Sequence, residues 1–160
     1  MNATGFVGRH RARELVVHGL YERQLSRRAD REIAASLLAD PGYASAEDAD
    51  VAHADADLDA AYFDELWRGV TGEYDALLAD LAPYVDRGMS ALAPIERALL
   101  AIGAWELAHR FEIPYRVIIN EAVELAKRYG GTDGYKFVNG VLDKVAARAR
   151  ADEIRAAGRP

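Results

Sequence analysis

Apolar residues along this chain recur at the three- and four-residue spacing of a helix, and no sustained alternating β-branched run appears. From residue 9 to about 25, Ala12, Leu15, Val16, Gly19 and Leu20 fall on one side, which predicts a first helix. A shorter helix is predicted over 31–39, stopped by Asp40-Pro41-Gly42. A third runs from Leu58 to about Ala82, with Tyr62, Phe63, Leu66, Trp67, Val70, Leu77, Leu78 and Leu81 inward. Gly69 and Gly72 are the points where it can bend. The segment SALAPIERALLAIGAWELAHR enters a helix near Pro94 and Ile95, and its uncharged centre, 98–105, predicts the most enclosed helix of the set. Pro114 suits the first turn of the next helix, whose inner stripe is Ile118, Ala122, Leu125, Ala126 and Tyr129. Gly130-Gly131 is its stop, and Thr132 or Asp133 can cap a last helix carrying KFVNGVLDK (136–144). In that last helix Val138, Val141, Leu142 and Val145 are the bundle-building positions. The chain reads as all-α.

Composition narrows the class. At 160 residues the chain fits one ordinary domain, large enough to bury roughly 70% of its unfolded surface. The absence of cysteine excludes disulfides, thiolate metal sites and a cysteine nucleophile. No apolar run approaches the ~20 residues of a membrane span. The opening MNATGFVGRHRAR lacks the apolar core of a secretory signal. A cytoplasmic protein without a membrane partner is expected.

The formal net charge of -6 is unevenly spread. Residues 1–31 hold seven arginines against three acids, a local +4. Residues 32–59 hold eight acids and no Lys or Arg, and 127–150 return to +4. Phosphate neutralisation is local, and salt screens charge beyond ~10 Å, so the acidic total does not exclude a nucleic-acid partner.

Few residues point to catalysis. The four histidines are scattered without metal-ligand spacing, so no metal site is expected. Glu106 and His109, three apart, read as a helical ion pair. YGGTDGYK (129–136) lacks the register of a phosphate loop and follows a helix, and no GxSxG elbow is present. Asn120 reads as a structural amide, and Asn139 is balanced between structural and ligand roles.

The basic start is more informative. On a helix His10, Arg13 and Tyr21 fall within about one quadrant, with Arg9 and Arg11 flanking it on the first turn. Arginine binds phosphate bidentately and stacks on bases, and tyrosine offers a flat face. Arginines near a helix N-terminus also oppose the macrodipole, a local misfit that hints at another role. From the residues alone, single-stranded RNA contact and a merely solvated basic face both stand.

Three segments together resemble the NusB family of bacterial transcription antitermination factors: RHRARELVVHGLYERQLS (9–26), IPYRVIINEAVELAKRYG (113–130) and KFVNGVLDK. YFDELWRGV (62–70) and IERALLAIGAWEL (95–107) stand between them in the expected order. The resemblance implies a single all-α domain over 9–150, of about six to seven helices in two packed three-helix-bundle-like halves. An acidic insert at 41–57 and a flexible tail at 151–160 complete the expected layout. It also implies a non-enzymatic role without cofactor. Proteins of this kind bind the boxA element of nascent ribosomal RNA together with NusE, a small-subunit ribosomal protein. They join other Nus factors on RNA polymerase, suppress termination and aid ribosomal RNA maturation.

Carried onto this chain, the RNA-binding candidates are Arg9, His10, Arg11, Arg13, Tyr21, Lys136, Phe137 and Asn139. There are departures from the family pattern. His10 interrupts the arginine run, His18-Gly19 stand where Gln-Ala is more usual, and Arg23 occupies a position often aromatic. The resemblance leaves monomer and homodimer both open. Two other readings remain: a protein–protein module, and a domain like that of ribosomal RNA cytosine methyltransferases. This chain lacks the catalytic cysteine of the latter.

Overall fold

The structure, a computed structural model, describes residues 3–40 and 58–158. The acidic stretch 41–57 lies outside the described residues. The chain is all-α, with no strand among the described residues. It divides into two compact units, Met1–Gly72 and Glu73–Pro160.

The first unit contains α1 (Ala3–Leu25), α2 (Asp30–Ala39) and α3 (Ala60–Gly72), with α1 packed on both others. Leu15, Val16 and Leu20 of α1, Ile33 and Leu37 of α2, and Phe63, Leu66 and Val70 of α3 are all buried. Trp67 organises this core. Its Nε1–H donates to the Asp30 carbonyl at 3.1 Å, and its ring stacks with Phe63 at a centroid distance of 6.4 Å. Gly19 makes room for that ring, because a Cβ there would lie 2.5 Å from Trp67 Cζ3 and 2.9 Å from Leu37 Cδ1. Asp59 begins α3 by accepting the Tyr62 N–H on Oδ1 at 2.9 Å, while its own N–H donates to the Gly8 carbonyl at 3.2 Å.

The second unit contains α4 (Tyr74–Leu81), α5 (Pro94–His109), α6 (Tyr115–Tyr129), α7 (Gly134–Ala149) and α8 (Ala151–Ala157). The helix predicted over 58–82 is thus two helices, interrupted at Glu73 after the exposed Gly72. Residues 98–107 of α5 are buried without a break, as their lack of charge outside Glu106 predicts. Helices α4, α6 and α7 pack around α5. A Cβ on Gly103 would stand 2.8 Å from Leu142 Cδ1, so the α5–α7 approach depends on that glycine. His109 pairs with Glu73 at 2.8 Å rather than with Glu106, one turn behind it.

Two caps work differently from the pattern-based expectation. Gly130 ends α6 at φ -84, outside the left-handed region, and a Cβ there would sit 2.6 Å from the Ala126 carbonyl oxygen. Asp133 does precede α7, but in the left-handed conformation (φ 63) and without a side-chain cap. The tail expected to be flexible forms α8 over Ala151–Ala157. The reason is Arg150, which is buried and spends its donors on the end of α5 and the loop beyond. Its Nε donates to the Leu107 carbonyl at 2.7 Å, Nη1 to Ile113 at 3.0 Å, and Nη2 to Glu106 and Arg110 at 3.2 and 2.8 Å. Glu153 on α8 pairs with Arg150 at 2.6 Å and accepts the Tyr115 N–H that opens α6 at 3.0 Å. Carbonyls left over by one helix and an amide left over by another are thereby satisfied.

Candidate nucleic-acid interface

The sequence candidates fall into two sets, one in each unit. In the first unit α1 carries Arg9, His10, Arg11, Arg13 and Tyr21. Arg9 and Arg13, one helical turn apart, both reach the ring of Tyr62 on α3, with guanidinium carbons 4.7 and 5.4 Å from its centroid. Arg9 keeps partial exposure, 21% of its side chain, and its Nε lies 3.9 Å from Asp59 Oδ2. Arg13 is buried, with 2% relative exposure. Arg11 points away from this pair and is buried as well, forming an ion pair with the buried Glu14. His10 is half-buried and Tyr21 is exposed.

The three arginines are therefore not one solvated comb. Arg11 and Arg13 serve the packing of α1, and Arg9 alone of the three keeps part of its side chain exposed. Charge in the sequence does not announce this difference, because the partners, Glu14 and Tyr62, reach the arginines only through helical and tertiary geometry.

In the second unit the start of α7 borders a groove of about 640 Å³. Its walls come from α7, from the entry to α5 and from residues 84–87. Lys136, Phe137 and Lys144 line it from α7, and Tyr84 and Arg87 face them from the other wall. Asn139 is exposed and is not among the lining residues. Lys136 lies 3.3 Å from Asp133, both side chains 65% exposed, a pairing that water and salt largely screen. Lys127 and Lys136 approach the ring of Tyr135 at 5.2 and 5.9 Å. Glu96 is packed at the head of α7, where a Cβ on Gly134 would stand 2.6 Å from its Oε1. Its Oε2 is buried and accepts no hydrogen bond among the described residues.

Tyr84, Arg87 and Glu96 escaped the sequence reading. They stand some forty to fifty residues before the KFVNG motif, in segments whose periodicity says only that a helix is ending or starting. Nothing in linear spacing joins them to Phe137. Asn120, expected as a packed structural amide, is exposed on α6.

The groove brings two flat rings and three cations together with the carboxylates of Asp86, Glu96 and Asp133; rings of this kind can stack bases and cations can meet phosphates of an unpaired strand. The NusB family model matches residues 10–147 of this chain. The transcription antitermination protein NusB of Paraburkholderia phymatum is 50% identical over 151 residues, covering 94% of this chain and 96% of that protein. The protein of the same name from Ralstonia nicotianae is 47% identical over 148 residues, covering 92% and 88%. Among solved structures, T. maritima NusB is similar with a TM-score of 0.68 and 26% identity, covering 92% of this chain and 96% of that one.

Proposed function

Since the chain belongs to the NusB family, we propose that it is a non-catalytic transcription antitermination factor that binds boxA-containing RNA together with NusE. In this reading the pair joins other Nus factors on RNA polymerase, suppresses termination and aids ribosomal RNA synthesis. The observation that carries it is the groove beside α7, where Phe137 and Tyr84 flank Lys136, Arg87 and Lys144. Phe137 is the stacking platform, and the three cations neutralise phosphates. Arg9 supplies a further phosphate contact, with His10, Arg11 and Arg13 shaping the helix that presents it, and Tyr21 and Asn139 are outlying contacts. The groove lining also carries Asp86, Glu96 and Asp133, so its three cations are balanced by nearby acids, and binding rests on where each cation sits rather than on a net positive patch.

A titration of the full chain with boxA RNA and a scrambled RNA of equal length, with and without NusE, tests this. Tighter binding of boxA, strengthened by NusE, is expected. Phe137→Ala weakens it by about 1–3 kcal/mol if one base stacks on that ring. Equal affinity for the two RNAs under all conditions sinks the reading. The burial of Arg11 and Arg13, together with the exposed apolar side chains of Tyr21 and Leu25, favours a second reading, a purely protein-binding module. NusE binding that RNA leaves unchanged would select it.

A further inference from the structure

Arg9 has two neighbours that no sequence pattern connects with it. The Tyr62 ring beneath it is 3% exposed and so has a fixed position, and Arg9 lies over it at 4.7 Å. Asp59 is held twice, through its N–H to the Gly8 carbonyl at 3.2 Å and through Oδ1 to the Tyr62 N–H at 2.9 Å. Its other carboxylate oxygen, Oδ2, is thereby set 3.9 Å from Arg9 Nε. That separation is beyond hydrogen-bond range. The carboxylate attracts the cation without taking a hydrogen bond from Nε at that distance.

We propose that Asp59 and Tyr62 together set the strength with which Arg9 takes an RNA phosphate: Tyr62 holds the guanidinium in place, and Asp59 competes with the phosphate for it. The inference rests on the RNA reading of Arg9 given above. A phosphate oxygen accepts charge-assisted, bidentate hydrogen bonds from a guanidinium, which outmatch a loose ion pair in water. Asp59 stays behind when the phosphate arrives, because its two hydrogen bonds belong to the backbone of Gly8 and Tyr62. Its negative charge then faces the phosphate and lowers affinity. Asp59 and Tyr62 are positioning residues, with Arg9 the contact.

The substitution Asp59→Asn separates the charge from the cap, since asparagine caps a helix as well as aspartate does. In a titration with single-stranded RNA at low salt, Asp59→Asn is expected to tighten binding on the order of threefold, an advantage that shrinks as salt rises. In an Arg9→Ala background the same change is expected to do nothing, which makes a double-mutant cycle the decisive measurement. Tyr62→Phe keeps the platform and the affinity, whereas Tyr62→Leu loses affinity severalfold at unchanged helicity. Unchanged affinity for Asp59→Asn, tightening that persists without Arg9, or equal tightening by the control Asp64→Asn on the exposed side of α3 would each overturn the proposal. If Arg9→Ala leaves RNA affinity intact in a chain that still binds RNA, the role given to Arg9 fails first, and the proposal fails with it.

Discussion

Single side chains decide how closely these helices meet. Gly19 has no side chain, and the space of one methyl group there is filled by Trp67 and Leu37. The Trp67 ring is not free to retreat, because its N–H is committed to Asp30 and its face to Phe63. Gly19→Ala is therefore expected to destabilise the chain by about 1–3 kcal/mol despite its better helix propensity, as overpacking does in a close-packed core. Urea denaturation followed by circular dichroism checks this, and a more stable variant would show that the ring yields. The arginines of α1 give the complementary lesson. Arg9 and Arg11 carry the same charge two positions apart, yet one meets a ring and solvent and the other a buried glutamate. Side-chain direction on the helix separates them.

At the scale of elements, the notable feature is that helix ends are satisfied by distant side chains. Arg150 closes α7 and gathers four carbonyls from residues 106–113, while Glu153 of α8 accepts the first amide of α6. Arg150→Ala removes the donor to the Leu107 and Ile113 carbonyls, while the Glu106 and Arg110 carbonyls keep the backbone N–H of Arg110 and Ile113, with an expected loss of about 3 kcal/mol in denaturant unfolding. Arg150→Lys restores only part, because an ammonium cannot reproduce the fork of the guanidinium. Burial alone would raise the Glu153 pKa. The hydrogen bond from the Tyr115 N–H and the hydrogen bond and charge of Arg150 outweigh burial and hold it below the ordinary glutamate value. A carboxylate with a depressed folded pKa stabilises above its unfolded pKa, and that contribution is lost as pH falls through the folded value. Stability is thus expected to fall with acidification from the ordinary glutamate range downward, and less steeply in Glu153→Gln. Parallel unfolding curves across that window for both chains would show that Glu153 does not take part.

For the molecule as a whole, charge placement matters more than the net charge of -6. If Arg9, Arg87, Lys136 and Lys144 are the phosphate contacts, log affinity for single-stranded RNA is expected to fall against log salt with a slope of about -3. Removing one of the four reduces the slope by roughly 0.7. A slope near zero in a chain that still binds RNA would replace phosphate neutralisation by apolar contact. Helical periodicity by itself determined the class, most helix positions, the enclosed centre of α5 and the core positions Val138, Val141 and Leu142, because apolar spacing is a local property and burial follows it. The KFVNGVLDK stretch is contiguous, so its place on a single helix is a local property as well. Other features were decided only by tertiary structure: the docking of α8, the burial of Arg11 and Arg13, and the meeting of Tyr84, Arg87 and Glu96 with Phe137. Each depends on groups brought together from separate helices or segments, or on a backbone that must satisfy its hydrogen bonds in three dimensions, and neither condition is written in the spacing of residues along the chain.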